Sequence, residues 1–408
     1  MEFDLETALL SIEPALARRA RPVLPPAHLP TGDAISFDSG YASPEAFPDL
    51  GAAATRALGL RRTVSLQYGP TLGLSEMREW IAGFARRDGA AVTADEVLVV
   101  NGAKQGLDLV CRLLLDEGDP IVVTAPTYFT AIPIFRSFGV EFVEIPQDPE
   151  GLDVAALASA LTRRDRDGLA PPKLIYDVPD FHNPTGITMS RARREALLEL
   201  AADRGIPVVE DTPYRALRYA GEPLPTLKAL AGPNRLVFGL GTFSKLLAPG
   251  LRLGWVAAPE DLVARLARLK SDGGTSPLAQ EIALEYFREG RLEQHLARVR
   301  SFYRSQRDRA ARAIAARLPE AGFTMPEGGY YLWLSFPDAI DTVELAVRAH
   351  ERGVSVIAGE AFYAAEGPGS ARARGLPRRY VRVAYSHAEP AEIDEGVNRL
   401  AAAYRSMR

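Results

Sequence analysis

Short apolar runs rich in β-branched residues recur at 97–100, 121–124, 142–145, 174–178, 207–210, 236–240 and 253–257, with amphipathic helical stretches such as 105–115 and 191–204 between most of them. A strand, a helix and a second strand pack back on one another as a right-handed crossover. Alternation of this kind therefore builds a mainly parallel sheet with helices on both faces. The expected fold is α/β, a seven-stranded, mainly parallel sheet sandwiched by helices. Ligands of such sheets settle in the crevice at the carboxyl ends of the strands, so residues just after strand ends are the candidates for chemistry. From about residue 291 the pattern changes to a long charged helix (293–317), a strand-like run (330–335), a helix (342–352) and runs at 354–357 and 380–385. These read as a smaller α+β domain joined by the N-terminal segment. The expected division is a large domain over 55–290 and a small one made of 1–54 and 291–408.

The stretch after the sixth run carries the most chemistry: Gly241-Thr242-Phe243-Ser244-Lys245, followed by Arg252-Leu253-Gly254. A lysine held between apolar runs loses its charge readily, and the neutral amine can attack a carbonyl to form a Schiff base. Thr242, Ser244 and Arg252 surround it with two hydroxyls and a fixed cation, groups that seek phosphate. An aldehyde that also carries a phosphate is pyridoxal 5′-phosphate. A lysine in a turn between strands is ordinarily a surface group, and the reading strengthens only because other segments agree. The run 207–210 ends in Asp211, with Tyr214 three residues on. An acid after a strand is more often a helix cap; paired with Lys245 it becomes a carboxylate that can keep a pyridine nitrogen protonated. Asn183-Pro184-Thr185-Gly186 is a turn on composition. Its functional reading puts the Asn183 amide beside the cofactor's oxygen and a substrate carboxylate, with His182 as turn chemistry.

Composition bounds the partners. The 408 residues carry 48 Lys and Arg against 52 Asp and Glu, a net charge of −4 that gives no support to nucleic-acid binding. Arginine clusters at 163–166 and 372–379 read as solvated surface. No run approaches the roughly 18 apolar residues of a membrane helix, and the start lacks a basic leader, so the expected location is the cytoplasm. Cys111, the single cysteine, falls on the apolar side of a helical pattern and is expected to be buried.

The joint order of Asn183-Pro184-Thr185-Gly186, Asp211-x-x-Tyr214 and Ser244-Lys245 with Arg252 resembles the fold-type-I pyridoxal-phosphate aminotransferases. Gln67-Tyr68-Gly69-Pro70, Asn101-Gly102-Ala103-Lys104-Gln105, Ala125-Pro126-Thr127-Tyr128 and Gly328-Gly329-Tyr330 are similar to the branch holding the 2-aminoadipate and kynurenine aminotransferases. The resemblance runs from about residue 37 to the C-terminus. It implies that Lys245 holds the cofactor and moves the substrate's α-proton, and that Asp211 pairs with the pyridinium. Tyr214 and Asn183 would bond the phenolic oxygen, and Tyr128 would stack on the ring. Gly102, Ala103 and Lys104 would meet the phosphate at a helix N-terminus, with Thr242, Ser244 and Arg252 completing the cup. Tyr68 would reach the phosphate of the neighbouring subunit of a homodimer. Arg382 would clamp the substrate α-carboxylate, with Gly40 of Phe37-Asp38-Ser39-Gly40 beside it.

Two departures stand out. Ala103-Lys104 replaces the usual Ser-Gln, removing one hydroxyl and adding a cation that points either at the phosphate or into solvent. Arg18, Arg19 and Arg21 do not match the arginine-bearing N-terminal helix that gates acidic substrates in the aminoadipate branch. The expected activity is transfer of an amino group from an L-amino acid to a 2-oxo acid. The alternative is another pyridoxal-phosphate reaction of a biosynthetic pathway: decarboxylation, elimination with cyclisation, or oxidation. The regulator class built on the same scaffold would need a helix-turn-helix domain ahead of the proline-rich start. A nicotinamide dehydrogenase is disfavoured because Gly102-Ala103-Lys104-Gln105-Gly106 fails the G-x-G-x-x-G spacing.

Overall fold

The computed structural model describes residues 34–408 apart from 233–235, 338 and 368–369. Thirteen strands are numbered here in chain order: β1 (Ile35–Ser36), β2 (Val97–Val100), β3 (Pro120–Ala125), β4 (Glu141–Asp148), β5 (Gly151–Leu152), β6 (Ile175–Asp177), β7 (Val208–Asp211), β8 (Val237–Thr242), β9 (Gly254–Ala257), β10 (Tyr331–Ser335), β11 (Val354–Ser355), β12 (Ile357–Ala358) and β13 (Tyr380–Ala384). The large sheet has the order β2-β9-β8-β7-β6-β3-β4-β5. All seven expected strands are in it, and the two-residue β5 adds an eighth on the edge of β4. Strands β3, β4, β6, β7 and β8 pair in parallel, while β9 and β5 run against their neighbours.

Burial on both faces explains the near-continuous apolar runs. Every residue of β7, in the middle of the sheet, and of β2, at its edge, is buried between helical layers. The helix Ala103–Leu114 buries Gly106, Leu107, Leu109, Val110 and Cys111, a stripe at i, i+3, i+4 spacing. Gly106 is needed there, since a Cβ would come within 2.9 Å of Val256 on β9. Cys111 is a free, buried thiol, as expected. The smaller sheets are β10-β13-β12, antiparallel, and the parallel pair β1-β11.

Three expectations are corrected. The run 354–357 is not one strand: Val354 and Ser355 pair with Ile35 and Ser36, whereas Ile357 and Ala358 pair with β13. Two neighbouring sheets share the segment 354–358, with Val356 between their two pairs of residues. The cluster 163–166 is not all solvated, because Arg164 is buried with a forked ion pair to Glu141 at 2.6 and 3.0 Å. In the cluster 372–379, Arg372 is engaged with Glu360 and with the Glu360 and Tyr363 carbonyls.

One buried ion pair sets the loop that leaves β6. Arg194 and Asp180 have no exposed side-chain surface and meet at 2.8 Å, with Arg215 on the other Asp180 oxygen at 3.2 Å. Arg194 also donates to the carbonyls of Pro179 and Met189, pinning both ends of the loop that contains Asn183. Burial alone would raise the Asp180 carboxyl, but Arg194 and Arg215 outweigh it and hold it below its ordinary value. Its stabilisation is therefore present above that ordinary value and is lost only as pH falls through the lowered one. Replacing Asp180 with Ala leaves Arg194 buried and unpaired, and should cost about 3–5 kcal/mol in denaturant unfolding. A loss within the ordinary surface range, below about 1 kcal/mol, would show that the pair holds nothing.

Candidate active site

Four loops at the carboxyl edge of the large sheet bring the expected residues together. Tyr128 follows β3, Asn183 follows β6, Asp211 ends β7 and Lys245 follows β8. Asp211 is buried; its Oδ2 accepts from the Tyr176 hydroxyl at 3.0 Å, and its Oδ1 has no partner. Burial pushes this carboxyl up to about 7. Lys245 Nζ donates to the Gly40 carbonyl at 2.7 Å and lies 4.8 Å from the centre of the Tyr330 ring. Burial, with a smaller contribution from the Arg382 charge, lowers the Lys245 amine to about 7. A nucleophilic amine and an unsatisfied carboxylate therefore share one poorly hydrated edge.

Arg382, on β13, is buried. It donates to Asn183 Oδ1 at 3.0 Å and to the Asp38 carbonyl, and its Nε has no partner. Its guanidinium lies over Tyr331, Phe129 and Phe362 at 4.3, 5.1 and 5.2 Å. Tyr214 and Tyr331 share a 2.8 Å hydroxyl–hydroxyl bond. Gly40 is obligatory where it sits, because a Cβ would fall 2.0 Å from the Tyr331 hydroxyl.

The second cluster lies at the N-terminus of the helix Ala103–Leu114. Gly102 precedes it at φ 83°, and a Cβ there would come within 2.9 Å of the Arg252 guanidinium. Arg252 donates to the Asn101 carbonyl at 3.2 Å from a left-handed backbone, φ 50°. Thr242 Oγ1 donates to Ser244 Oγ at 2.9 Å and accepts from the Ser244 amide at 3.1 Å. Lys104, the added cation, is exposed, and desolvation, then the Arg252 charge, lowers its amine. Backbone donors, two hydroxyls and two cations around a helix N-terminus form an anion cup.

His182 is turn chemistry, as expected: its ring nitrogens meet Thr124 and Thr185 hydroxyls at 3.1 Å each, and burial drops it to about 3. Tyr68 stands apart, 87% exposed, its hydroxyl unbonded among the described residues. Arg18, Arg19 and Arg21 lie outside the described residues. Sequence reasoning gave no role to Tyr176, Phe129 or the Asp38 carbonyl. Tyr176 sat inside an expected strand, where an aromatic residue reads as core.

The buried orphans Asp211 Oδ1, Asn183 Nδ2 and Arg382 Nε, with the anion cup, fit a phosphorylated pyridine aldehyde and an amino-acid carboxylate. Residues 35–400 match the family described as aminotransferase class I and II, and the chain belongs to it. It is a fold-type-I, pyridoxal-phosphate-dependent enzyme that moves an amino group from an amino acid to a 2-oxo acid. Within that family its relatives lie in the aromatic, 2-aminoadipate and kynurenine branch. It is 36% identical to the aromatic-amino-acid aminotransferase 1 of Thermococcus litoralis, over 91% of this chain and 88% of that protein. It is 35% identical to the 2-aminoadipate transaminase of Thermus thermophilus, over 91% and 90%. The Pyrococcus horikoshii kynurenine aminotransferase superimposes with a TM-score of 0.90 at 34% identity, covering 98% of this chain and 99% of that one.

The lowered Lys245 amine gives a direct test on the cofactor-free protein. The amine is charged and unreactive below its lowered pKa and neutral above it. Labelling of Lys245 by an amine-selective reagent, read by peptide mass, should rise with pH through a midpoint near 7, and Arg382→Gln should move that midpoint upward. A midpoint at the ordinary lysine value of 10.5 would remove the desolvated amine from the argument.

Proposed function

We propose that Lys245, Asp211, Tyr214, Asn183 and Arg382 carry out the transamination, and that the donor is an L-amino acid with an aromatic or large apolar side chain. The observation that carries the assignment of roles is the unpartnered, buried Asp211 Oδ1 at the same sheet edge as an amine lowered to about 7. Bound pyridoxal phosphate supplies the aldehyde that takes up the amino group and the electron sink for loss of the α-proton. Asp211 holds the ring nitrogen protonated through Oδ1, while the Tyr176 hydroxyl fixes Oδ2. Tyr214 and the Asn183 amide donate to the phenolic oxygen. Gly102, Ala103, Lys104, Thr242, Ser244 and Arg252 hold the phosphate, and Tyr128 covers the ring and excludes water.

Arg382 takes the substrate α-carboxylate. Two of its nitrogens are already anchored, so the fork is held in place before substrate arrives. Lys245, as the neutral amine, removes the α-proton and returns it; the Gly40 carbonyl keeps Nζ in reach. The aromatic faces of Tyr331, Phe129 and Phe362 around Arg382 support an apolar donor side chain. We also read 55–290 as the cofactor-binding domain and the remainder as the part that brings in Arg382.

The reading includes a homodimer in which Tyr68 reaches the partner's phosphate, supported by Tyr68, Leu60 and Leu66 standing 87%, 79% and 60% exposed on one short stretch. No described helix is long and apolar enough to cross a membrane. The free, buried thiol of Cys111 suits the reducing cytoplasm, which the reading takes as its location.

A panel of amino donors should show aromatic and large apolar amino acids converting fastest with a 2-oxo acid acceptor; preference for acidic donors would overturn the apolar reading. Lys245→Ala should keep cofactor yet lose turnover, and surviving turnover would reassign the base. Arg382→Gln should lower kcat/KM by about a hundredfold through KM, the scale of losing a charge-assisted pair. Mass at working concentration should be that of two chains, and an active enzyme that stays monomeric would remove Tyr68 from the site.

A further inference from the structure

Glu210 and Asp211 are consecutive in extended β7, so they point to opposite faces of the large sheet. Asp211 faces the site described above. On the other face, a cavity of about 460 Å³ is bounded by the sheet, the ends of the helices Ser75–Arg87 and Leu292–Arg317, and the loop after β7. That size lies within the ~300–1,000 Å³ typical of small-molecule sites. The register makes room for it: Glu210 is opposite Gly239, Gly239 opposite Ala257, and Gly241 opposite Trp255. The small residues leave the floor open, and the Trp255 indole lies so close on the sheet that a Cβ at Gly241 would meet it at 2.1 Å. Phe84, edge-on to Trp255 at 6.2 Å, continues the apolar wall.

The charges around this cavity do not balance. Its acids are already engaged: Glu210 accepts from the Leu227 and Lys228 amides, Asp88 pairs with Arg215, and Glu293 with Arg87. Lys228 Nζ has no hydrogen bond or ion pair among the described residues. Arg218, by contrast, is paired, with Nη1 on Glu327 at 2.8 Å and Nη2 3.6 Å from Asp180. Arg300 uses Nε on the Ala216 carbonyl, and its terminal nitrogens have no acceptor among the described residues. Burial lowers the Lys228 amine, and Glu96 and Glu210 pull the other way without bonding to it. Two unpaired donors of one sign, Lys228 and Arg300, over an aromatic wall specify an anion with a flat body.

We propose that this cavity is a second ligand site, on the face of the sheet away from Lys245, for a small aromatic carboxylate. Of the residues placed at the first site, only Thr242 also lines it. The inference is independent of the roles proposed for Lys245 and Arg382.

Indole-3-acetate is a suitable probe, since it has neither an amino nor a 2-oxo group to transfer. Calorimetric titration of the holoenzyme should show binding that is at least about tenfold weaker in Lys228→Met, as loss of one charge-assisted hydrogen bond requires. Lys228→Arg should retain it. Gly239→Val, whose added Cβ meets nothing closer than Ala257 at 3.7 Å, should fill the cavity and also abolish it. Transamination without probe should stay unchanged in all three, and acetate should not compete. Identical binding in the wild type, Lys228→Met and Gly239→Val, or binding lost only on replacing Arg382, would overturn the proposal. Equal competition by acetate would overturn its aromatic part.

Discussion

Water is scarce around Lys245 and Asp211, and the rest of the site depends on that scarcity. Their strands, β8 and β7, are neighbours in the centre of the sheet. Burial moves the acid up and the base down until both stand at about 7. Neither group is then locked into its charged form. A ligand carrying a protonated ring nitrogen and an aldehyde offers each what the protein withholds. Leaving a buried polar atom unpaired costs about 1–3 kcal/mol, so the orphans at Asp211, Asn183 and Arg382 are a stability cost that the proposed ligand contacts would offset.

Close approach is the second constraint. The backbone at Gly102 passes under the Arg252 guanidinium, and Gly254 packs against the Gly102 and Ala103 backbone at 2.8 Å from a hypothetical Cβ. These contacts press the helix N-terminus, the αL turn at Arg252 and the hydroxyls of Thr242 and Ser244 into one cup. Arg382 does the corresponding work for the small sheets. It comes from β13, touches Asn183 after β6 and reaches the Asp38 carbonyl just past β1. Three distant segments meet at one guanidinium, so its anchoring exists only when the small sheets are docked on the large one.

Much of this was legible in the residues. The seven strands were readable because most are buried under helices on both faces and so are written as near-continuous β-branched runs, although β4 is largely half-exposed. The residues after their carboxyl ends could be picked out because parallel topology sends those ends to one edge. What was lost shares a cause. Tyr176 sits in a run that looks like core and Phe129 in a loop after one, and their hydroxyl and ring contacts come from other elements. The split of 354–357 between two sheets, and the Arg164–Glu141 pair, likewise depend on which neighbour arrives.

The strand runs along the chain, the lysine, the acid and the phosphate-seeking turn are properties of the chain itself, since local periodicity and side-chain chemistry determine them. The loss of ordinary ionisation at Lys245 and Asp211, the anchoring of Arg382 and the open back face at Gly239 belong to the tertiary structure. Each needs desolvation or contact between separate elements of the chain, and no local pattern encodes that.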